Sequence, residues 1–394
     1  MDEALSFVLH SYRKIYESQP EFAARAPGRV NLIGDHTDYN EGWVLPMAIN
    51  LGTVLAAGRT AHNALEIHAR RMGESVMVPL EGELPVQPGA RWANYLLAVA
   101  EQFRARGHAL PGLRVVVDGD LPLGAGLSSS ASLEVAFAAL LNEVCGASLT
   151  RREIGLLAQA AEHSRYVGVQ CGIMDQLASA LPESPGALLL DCRTLQARTV
   201  EFPDSKATLL IVDSRRERTL AGSAYNTRRG ECEQARRALE AASGVRLAAL
   251  RDVTPELLAA HEAALPPLLA KRAGHVVSEN ERVLRCAAAL EAGNVAAAGR
   301  LFRESHRSLA RDYEVSCPEL DEIAAVANRT NGVPGCRMTG AGFGGCAVAL
   351  VEPDAEPAFR RAVSDAFAAR NWNTPGFHPV KPACGAECFR LQTA

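Results

Sequence analysis

The sequence predicts an α+β protein built from two lobes. Its 394 residues are enough for roughly two to three domains of about 150 residues each. Strand-like and helical patterns are mixed in both halves, which is the pattern of the α+β class. Residues 221–328 are mainly helical, with few glycines or prolines to break them. We expect one domain over residues 1–200 and a second over residues 201–394.

Hydrophobic periodicity places the individual elements. Apolar runs bounded by turn residues predict strands at residues 44–57, 113–122, 187–191, 209–212, 336–339 and 346–351. Apolar residues at helical spacing predict helices over residues 128–145, 151–167, 173–181 and 353–369, in addition to those within 221–328. Serines stand at the start of the 128–145 segment, where N-caps are expected.

Composition excludes several classes of function. The formal charge of -4 and the lack of a basic block argue against nucleic acid as a partner. No stretch approaches 18 apolar residues, so no membrane span is predicted. The N-terminus lacks the basic region and apolar run of a secretory signal, and we expect a cytosolic protein. In that compartment the ten scattered cysteines, among which no CxxC occurs, are expected to be free thiols.

The segment LPLGAGLSSSAS, residues 121–132, has the features of a phosphate site. A strand ends in a turn with proline and two glycines, and three serines then open a helix. Glycines allow close backbone approach, and a helix N-terminus offers free N–H groups to an anion. The serine hydroxyls suit phosphate oxygens and Mg²⁺, which prefers oxygen ligands. The alternative is a helix cap with a tight turn.

The segment ARAPGRVNLIGDHTDYN, residues 24–40, concentrates polar side chains among strand-like apolar pieces. Its carboxylates and amides are suited to accept hydrogen bonds from the hydroxyls of a polyol. A guanidinium at Arg29 is suited to stabilise charge on a transferring phosphoryl group. Because Gly, Asp, Thr and Asn are also turn formers, a solvated turn is the alternative.

The glycine run MTGAGFGGC, residues 338–346, has a misleading pattern. Gly340, Gly342 and Gly345 match GxGxxG. The dinucleotide fingerprint requires a helix after its glycines, whereas CAVALV reads as a strand. We therefore expect a glycine hairpin that packs against another backbone or against a bound phosphate.

Single residues elsewhere have structural and functional interpretations of their own. Asp175 in CGIMDQ is an acid within an apolar helical stretch, either a satisfied buried group or a catalyst. Tyr225 in SAYNTRR reads as an ordinary helix tyrosine, and Glu162 and His163 lie on the helix before Asp175, where they would face solvent.

Taken together, these segments resemble the GHMP kinases, the group of galacto-, homoserine, mevalonate and phosphomevalonate kinases. GRVNLIGDHTDYN resembles the galactokinase signature, and LPLGAGLSSSAS resembles the ATP-binding motif of the wider group. CGIMDQ, SAYNTRR and GAGFGGC follow in the order of the family, so the likeness spans about residues 20–350. It implies the two-lobed GHMP kinase fold, with mixed sheets and helices and an active site between the lobes.

The resemblance also implies roles for named residues. ATP phosphates would be held by Gly124, Ala125, Gly126, Leu127, Ser128, Ser129 and Ser130. The sugar would be bound by Asp35, His36, Thr37, Asp38, Gly172 and Tyr225. Asp175 would orient or deprotonate the C1 hydroxyl, and Arg29 would stabilise the moving charge. Mg²⁺ would be the cofactor, with Ser130 and Glu162 as its protein ligands.

Two positions depart from the family pattern. The family usually has Glu where this chain has Asp35, so contacts at the sugar's C6 would differ. The acid that holds magnesium usually stands twelve residues before the catalytic Asp, whereas Glu162 stands thirteen before Asp175. An extra residue in the intervening turn would absorb the difference, or His163 would take the ligand position instead.

The implied activity is that of a monomeric kinase that binds galactose and ATP and forms an α-sugar 1-phosphate and ADP. An N-acetylgalactosamine or other aldose 1-kinase is the alternative among enzymes. A galactose sensor without turnover is the alternative among binding proteins, but such a relative is expected to lose Asp175, Arg29 or part of the ATP motif.

Overall fold

The computed structural model describes residues 2–122, 126–216 and 221–392 of the chain. The helices are α1 (Asp2–Tyr16), α2 (Arg91–Ala105), α3 (Ser129–Cys145), α4 (Arg151–His163), α5 (Met174–Ala180), α6 (Ala221–Ser243), α7 (Pro255–His261), α8 (Pro267–Glu291), α9 (Val295–Arg311), α10 (Pro318–Arg329) and α11 (Glu356–Ala368). None of the helices in these ranges combines the length and apolarity needed to span a bilayer.

The strands form two sheets. They are β1 (Phe22–Asn31), β2 (Trp43–Val44), β3 (Pro46–Arg59), β4 (Ala64–Ala69), β5 (Glu74–Pro79), β6 (Leu113–Gly119), β7 (Ala187–Asp191), β8 (Ala197–Val200), β9 (Thr208–Asp213), β10 (Gly335–Met338), β11 (Cys346–Val351), β12 (Gly376–Val380) and β13 (Glu387–Arg390). The larger sheet follows the order β13-β1-β3-β6-β4-β5, with β2, β7 and β8 branching from β3 through β7. The smaller sheet has the order β10-β11-β9-β12.

Strand β1 places the first part of the polar segment 24–40 in the centre of the protein. It pairs antiparallel with β3 on one side and with β13 on the other. Its register against β3 shifts between Pro27 and Arg29, where residues 49–51 of β3 lie opposite Gly28 alone. Extra residues in one strand of a pair bend the ladder and redirect neighbouring side chains, and this irregularity lies where β1 reaches the cleft described below.

Helices cover both faces of the larger sheet. On one face, α2, α3 and α4 bury a core that includes Leu55, Leu97 and Phe137. On the other face, α1 packs Val8 and Tyr12 against residues of β3 and β6. The amphipathic pattern of α1 therefore has its apolar side on the sheet and its charged side in solvent.

The two lobes share a hydrophobic core. One face of the smaller sheet packs against α6, α8, α10 and α11. Its other face contributes Ile211 and Val348 to a cluster that also contains Val30, Leu32 and Ile33 of the N-terminal half. Because this packing is apolar and continuous, the end of β1 is fixed against the hairpin formed by β10 and β11.

The chain passes from one sheet to the other between Val200 and Thr208 and later returns. Strand β13 pairs with β1, with Ala24 opposite Cys388. The segment after residue 201 therefore supplies a strand to the first sheet. The division into domains at residue 200 stays a prediction.

Candidate active site

A cleft of about 970 Å³ lies between the two lobes. Its wall contains most of the site residues expected from the sequence: Arg29, Asp35, His36, Asp38, Gly126, Ser128, Ser129, Ser130, Glu162, Gly172, Asp175 and Tyr225. These residues come from β1, the loop after it, the starts of α3 and α5, the end of α4 and the first turns of α6. The fold thus brings together segments that are separated by up to about 200 residues of sequence.

An ion pair between Arg29 and Asp175 occupies the centre of this cleft. Arg29 donates through Nε to Asp175 Oδ1 and through Nη2 to Oδ2, both at 2.7 Å. Ser128 Oγ donates to the same Oδ2 at 2.5 Å, and Arg29 Nη1 donates to the carbonyl of Gly126 at 2.9 Å. The carboxylate is therefore oriented by three donors, and the guanidinium links it to the loop before α3.

The loop before α3 differs from the helix cap that was the alternative to a phosphate site. Ser128 is the N-cap of α3 but has left-handed backbone angles, φ 57° and ψ 50°, and its side chain makes no capping bond. Its hydroxyl instead donates to Asp175, so that serine does not cap the N–H groups of the first turn. Such a helix start is suited to an anion.

The other residues of this loop have different surroundings. Ser129 and Ser130 begin α3 and line the cleft. The Leu127 side chain is buried in the core shared by the lobes, and its carbonyl accepts a bond from the Arg29 amide. Gly124 and Ala125, which the sequence assigns to ATP, lie outside the described residues.

Asp35 is almost fully buried at the edge of the cleft. Its Oδ1 accepts from Asn31 Nδ2 at 2.9 Å and from the amide of Gly340 at 3.1 Å. Its Oδ2 accepts from Arg337 Nη2 at 2.6 Å. Three of the four lone pairs of this carboxylate are thus used within the protein, and one remains for a ligand hydroxyl.

His36 has both ring nitrogens engaged inside the protein. Nε2 lies 3.2 Å from the carbonyl of Ala341, which only accepts, so Nε2 carries the proton. Nδ1 therefore accepts from the Tyr39 hydroxyl at 2.9 Å, and Tyr39 in turn accepts from Tyr313 at 2.7 Å. Burial lowers the pKa of His36 to about 3, so the ring is neutral. What His36 presents to the cleft is its ring face and backbone rather than a free ring nitrogen.

Asp38 and Gly172 form a tight contact. A Cβ atom on Gly172 would lie 1.7 Å from Asp38 Oδ2, so only glycine leaves room for this carboxylate. Burial, and then the negative charge of Asp175, raise the pKa of Asp38 to about 7. Thr37, also predicted to bind the sugar, is fully buried and donates to the carbonyls of Gly34 and Trp43 instead.

Tyr225 closes the same side of the cleft. Its ring lies 5.7 Å from that of His36 and 5.3 Å from that of Tyr39, centroid to centroid. The ring lies in the wall of the cleft, on the side where the resemblance assigned Tyr225 to the sugar pocket.

Glu162 and Ser130 are the oxygen donors that fit Mg²⁺. Burial, followed by the charge of Asp175, raises the pKa of Glu162 to about 7, and the Ser130 hydroxyl hydrogen-bonds to the same carboxyl. The two side chains are therefore adjacent, and a small oxygen-seeking cation suits them when phosphates and water complete its shell. His163 lies outside the cleft wall, with Nε2 donating to the carbonyl of Cys171 at 2.9 Å, which favours Glu162 as the ligand.

Sequence reasoning missed the residues that the second lobe contributes at the end of β9 and after it. Asp213, Arg215 and Arg216 line the cleft, and Asn226 lies beside Tyr225 on α6. Arg216 donates to Glu319 at 3.1 Å while more than half of its side chain is exposed. The signal was the cluster of arginines directly after a buried strand, an arrangement that suits phosphate groups.

Comparison with known proteins agrees with this geometry. The galactokinase galactose-binding signature matches residues 10–59, the N-terminal domain of GHMP kinases matches 94–183, and their C-terminal domain matches 286–369. A galactokinase of Roseiflexus sp. (strain RS-1) is 46% identical over 358 residues, which cover 90% of each chain. The chain belongs to the galactokinase family.

Solved structures confirm the predicted fold class. Lactococcus lactis galactokinase, in complex with galactose, superimposes with a TM-score of 0.92 at 33% identity, over 98% of this chain and 100% of that one. The mevalonate kinase of Methanococcus jannaschii shares only the fold, with a TM-score of 0.66 at 16% identity over 93% and 99% of the two chains. The chain is thus a galactokinase family member with the two-lobed GHMP kinase fold, as the sequence predicted.

Proposed function

We propose that the protein transfers the γ-phosphoryl group of ATP to the C1 hydroxyl of α-D-galactose and releases galactose 1-phosphate and ADP. The observation that carries this proposal is the Arg29–Asp175 ion pair, which faces a cleft bounded by an uncapped helix start and by buried acids. Membership of the galactokinase family supports galactose as the acceptor. Action as a monomer in the cytosol stays a prediction from the sequence.

Asp175 would take the proton of the C1 hydroxyl. Three donors from Arg29 and Ser128 fix the carboxylate before a sugar arrives, so little reorganisation is needed. The Asp175 side chain is 28% exposed, so a ligand can reach it, whereas Arg29 is only 5% exposed.

Arg29 would act on the phosphoryl group as well as on the base. Its Nη1 reaches the carbonyl of Gly126, so the positive charge lies between the carboxylate and the loop before α3. Charge that develops on the transferring group would be stabilised there without movement of the side chain. The N–H groups at the start of α3 would hold the remaining phosphate oxygens.

The acidic loop after β1 would hold the sugar. Asp38 is placed by its contact with Gly172, and Asp35 keeps one lone pair for a hydroxyl. Tyr225 and the ring face of His36 supply an apolar wall of the kind that sugar rings pack against. Ser130 and Glu162 would hold Mg²⁺, which supplies positive charge to the phosphate oxygens when it is bound.

The test is phosphorylation of a panel of aldoses under identical conditions, followed by ADP release and by isolation of the sugar phosphate. We expect galactose to be the best acceptor, with the phosphate on C1. A higher kcat/KM for N-acetylgalactosamine or another aldose would overturn galactose as the substrate. Galactose and ATP binding without ADP release would indicate a sensor rather than an enzyme.

A further inference from the structure

Helix α8 of the second lobe carries two polar side chains that bond to the backbone of the acidic loop after β1, and the proposed reaction uses neither. Glu279 Oε1 accepts from the amide of Gly34 at 3.0 Å, and His275 Nε2 lies 3.1 Å from the carbonyl oxygen of Asp35. Both side chains are fully buried. Because a carbonyl only accepts, Nε2 donates to it whether the imidazole is neutral or charged. Helix α8 therefore holds the chain on both sides of the Asp35 side chain.

Helical spacing determines which face of α8 meets this loop. His275, Glu279 and Val283 are four residues apart, so they lie on the same side of the helix. Gly34 has a φ of 98°, and a Cβ atom there would lie 2.8 Å from Val283 Cγ2 and from the carbonyl oxygen of Trp43. The backbone of the loop is thus in close contact with α8 at this point, and the helix bonds to its peptide groups rather than to the side chains that face the cleft.

Glu279 is itself fixed by donors from the second lobe. Ser305 Oγ donates to Oε1 at 2.6 Å, and Arg282 Nε donates to Oε2 at 2.7 Å. The acceptor of the Gly34 amide cannot rotate away without breaking these bonds. Removing the Glu279 carboxylate would also leave a buried guanidinium without its partner, which destabilises a protein strongly. His275 is therefore the contact whose role can be tested without unpairing a buried charge.

We propose that His275 is a positioning residue for sugar binding: its bond to the Asp35 carbonyl, with the bond of Glu279 to the preceding amide, fixes the backbone that carries the Asp35 carboxylate. Without the donor, the carbonyl would be buried without a partner, so conformations of the loop that give it one would become populated. Only molecules with the native loop bind sugar well, so the apparent affinity falls with their fraction. This inference rests on the proposed function in that the sugar contacts the acidic loop.

The ring of His275 has a second contact that the test has to separate from the hydrogen bond. Its centroid lies 4.5 Å from that of Tyr313, whose ring lies 4.8 Å from that of His36. Loss of this packing would disturb the His36 ring in the cleft wall. His275→Gln removes the ring and keeps a donor on a side chain of similar reach, whereas His275→Leu removes both. A difference between the two variants therefore reports on the donor alone.

We expect His275→Leu to weaken galactose binding about 5–20-fold, and to leave Mg²⁺–ADP binding within about twofold of the native value. His275→Gln should bind galactose within about threefold of the native protein. The matched control is Leu290→Ala, a buried position of the same helix about 22 Å beyond His275 along its axis. That variant loses stability through the cavity that it creates, but its galactose affinity should not change.

The measurements are calorimetric titrations with galactose and with Mg²⁺–ADP, thermal unfolding, and hydrogen exchange of the segment 30–42 without ligand. Exchange in this segment should be faster in His275→Leu than in the native protein, His275→Gln and Leu290→Ala. If His275→Gln is as impaired as His275→Leu, the ring matters rather than the donor and the proposal is wrong. It is equally wrong if His275→Leu binds galactose normally, or if both His275→Leu and Leu290→Ala lose galactose affinity in step with stability. Because exchange is measured without sugar, failure of the proposed galactose activity would leave the comparison of the loop intact.

Discussion

Arg337 and Asp35 form an ion pair inside the protein, with 2.6 Å between Arg337 Nη2 and Asp35 Oδ2 and both side chains buried. The same guanidinium donates through Nη1 to the carbonyls of Asn31 and Leu32, at 3.1 and 3.0 Å. Arg337 belongs to β10, which leads into the glycine loop, whereas Asp35 lies in the acidic loop after β1. A single side chain therefore ties together the parts of the cleft that come from the two lobes.

Replacing Arg337 by methionine is expected to destabilise the protein strongly. Removing one partner of a buried ion pair leaves the other charge uncompensated, at a cost of about 3–5 kcal/mol. The free energy of unfolding in urea should fall by about that amount. Arg329→Met is the matched control, because Arg329 is 65% exposed and pairs with Glu322 on the surface. That variant should lose less than about 1 kcal/mol, and equal losses would contradict the role of Arg337.

Asp175→Asn should lower kcat by about 10²–10⁴-fold, the usual contribution of a general base. The change keeps the size of the side chain but removes the charge that accepts the proton. Galactose and ATP affinities, measured by calorimetry, should change only a few-fold. Turnover within about tenfold of the native protein would rule out Asp175 as the general base. Thermal unfolding is the necessary control, because Arg29 loses its charged partner in this variant.

Gly172→Ala should weaken galactose binding without affecting the nucleotide. The new Cβ would overlap Asp38 Oδ2 and force that carboxylate out of its position. Loss of a hydrogen bond to a charged group is worth about 1.5–3 kcal/mol, so the galactose KM should rise about 10–100-fold. Gly230→Ala on α6 is the control, since an added Cβ there meets nothing within 4 Å. A galactose KM that is the same in both variants would show that Asp38 does not bind the sugar.

Galactose affinity should increase as the pH rises through about 7. Burial and the charge of Asp175 raise the pKa of Asp38 to about 7, so the group is largely protonated at pH 6 and ionised at pH 8. Only the ionised form accepts with both oxygens, so sugar binding lowers this pKa and releases a proton. Affinity should therefore fall toward pH 6 and level off above pH 8.

Calorimetry of galactose binding without nucleotide would measure this pH dependence. In Asp38→Asn the change of galactose affinity with pH should vanish. The pKa of Glu162 is also raised to about 7, mainly by burial, but we propose that this acid holds the magnesium of the nucleotide rather than the sugar. Glu162→Gln should therefore keep this change with pH. If the galactose affinity of the native protein does not change between pH 6 and 8, Asp38 does not control sugar binding in this way.

The sequence predicted best those elements whose hydrophobic periodicity is strong. It predicted the catalytic and binding residues where they lie in compact motifs. The strand at residues 187–191 and the helix ending at Cys145 were correct to the residue or nearly so. Strand β1 was not recognised as one strand, because Pro27 and Gly28 interrupt its pattern. Only pairing with β3 and β13, far along the chain, gives its backbone groups their partners.

The site was predictable where its residues are close in sequence. Asp35, Asp38 and Arg29 share one segment, and family resemblance placed Asp175 beside them. The roles of individual atoms were not predictable, because they depend on long-range neighbours. Both ring nitrogens of His36 are engaged, Nδ1 by the Tyr39 hydroxyl and Nε2 by the carbonyl of Ala341, which is 305 positions away. No local pattern contains that information, since burial and hydrogen-bond partners are set by tertiary packing.

Asp35 stands at the position where the resemblance to the family led us to expect Glu. Its carboxylate is enclosed by donors from Asn31, Gly340 and Arg337. In Asp35→Glu the added methylene has to displace these donors or push the acid into the sugar's space. Extra volume in a closely packed site costs about 1–3 kcal/mol. We therefore expect a fall in stability of that size and a rise of about 5–100-fold in the galactose KM.

Comparison of galactose with 6-deoxygalactose tells what the carboxylate does. If the free lone pair of Asp35 accepts from the C6 hydroxyl, the KM for galactose should rise more in Asp35→Glu than the KM for the deoxy sugar, which has no such bond to lose. Equal rises would mean that Asp35 shapes the loop through Arg337 and does not contact C6. In that case Arg337→Met, if it folds, should raise the KM for both sugars alike, because it removes the same support from the opposite side.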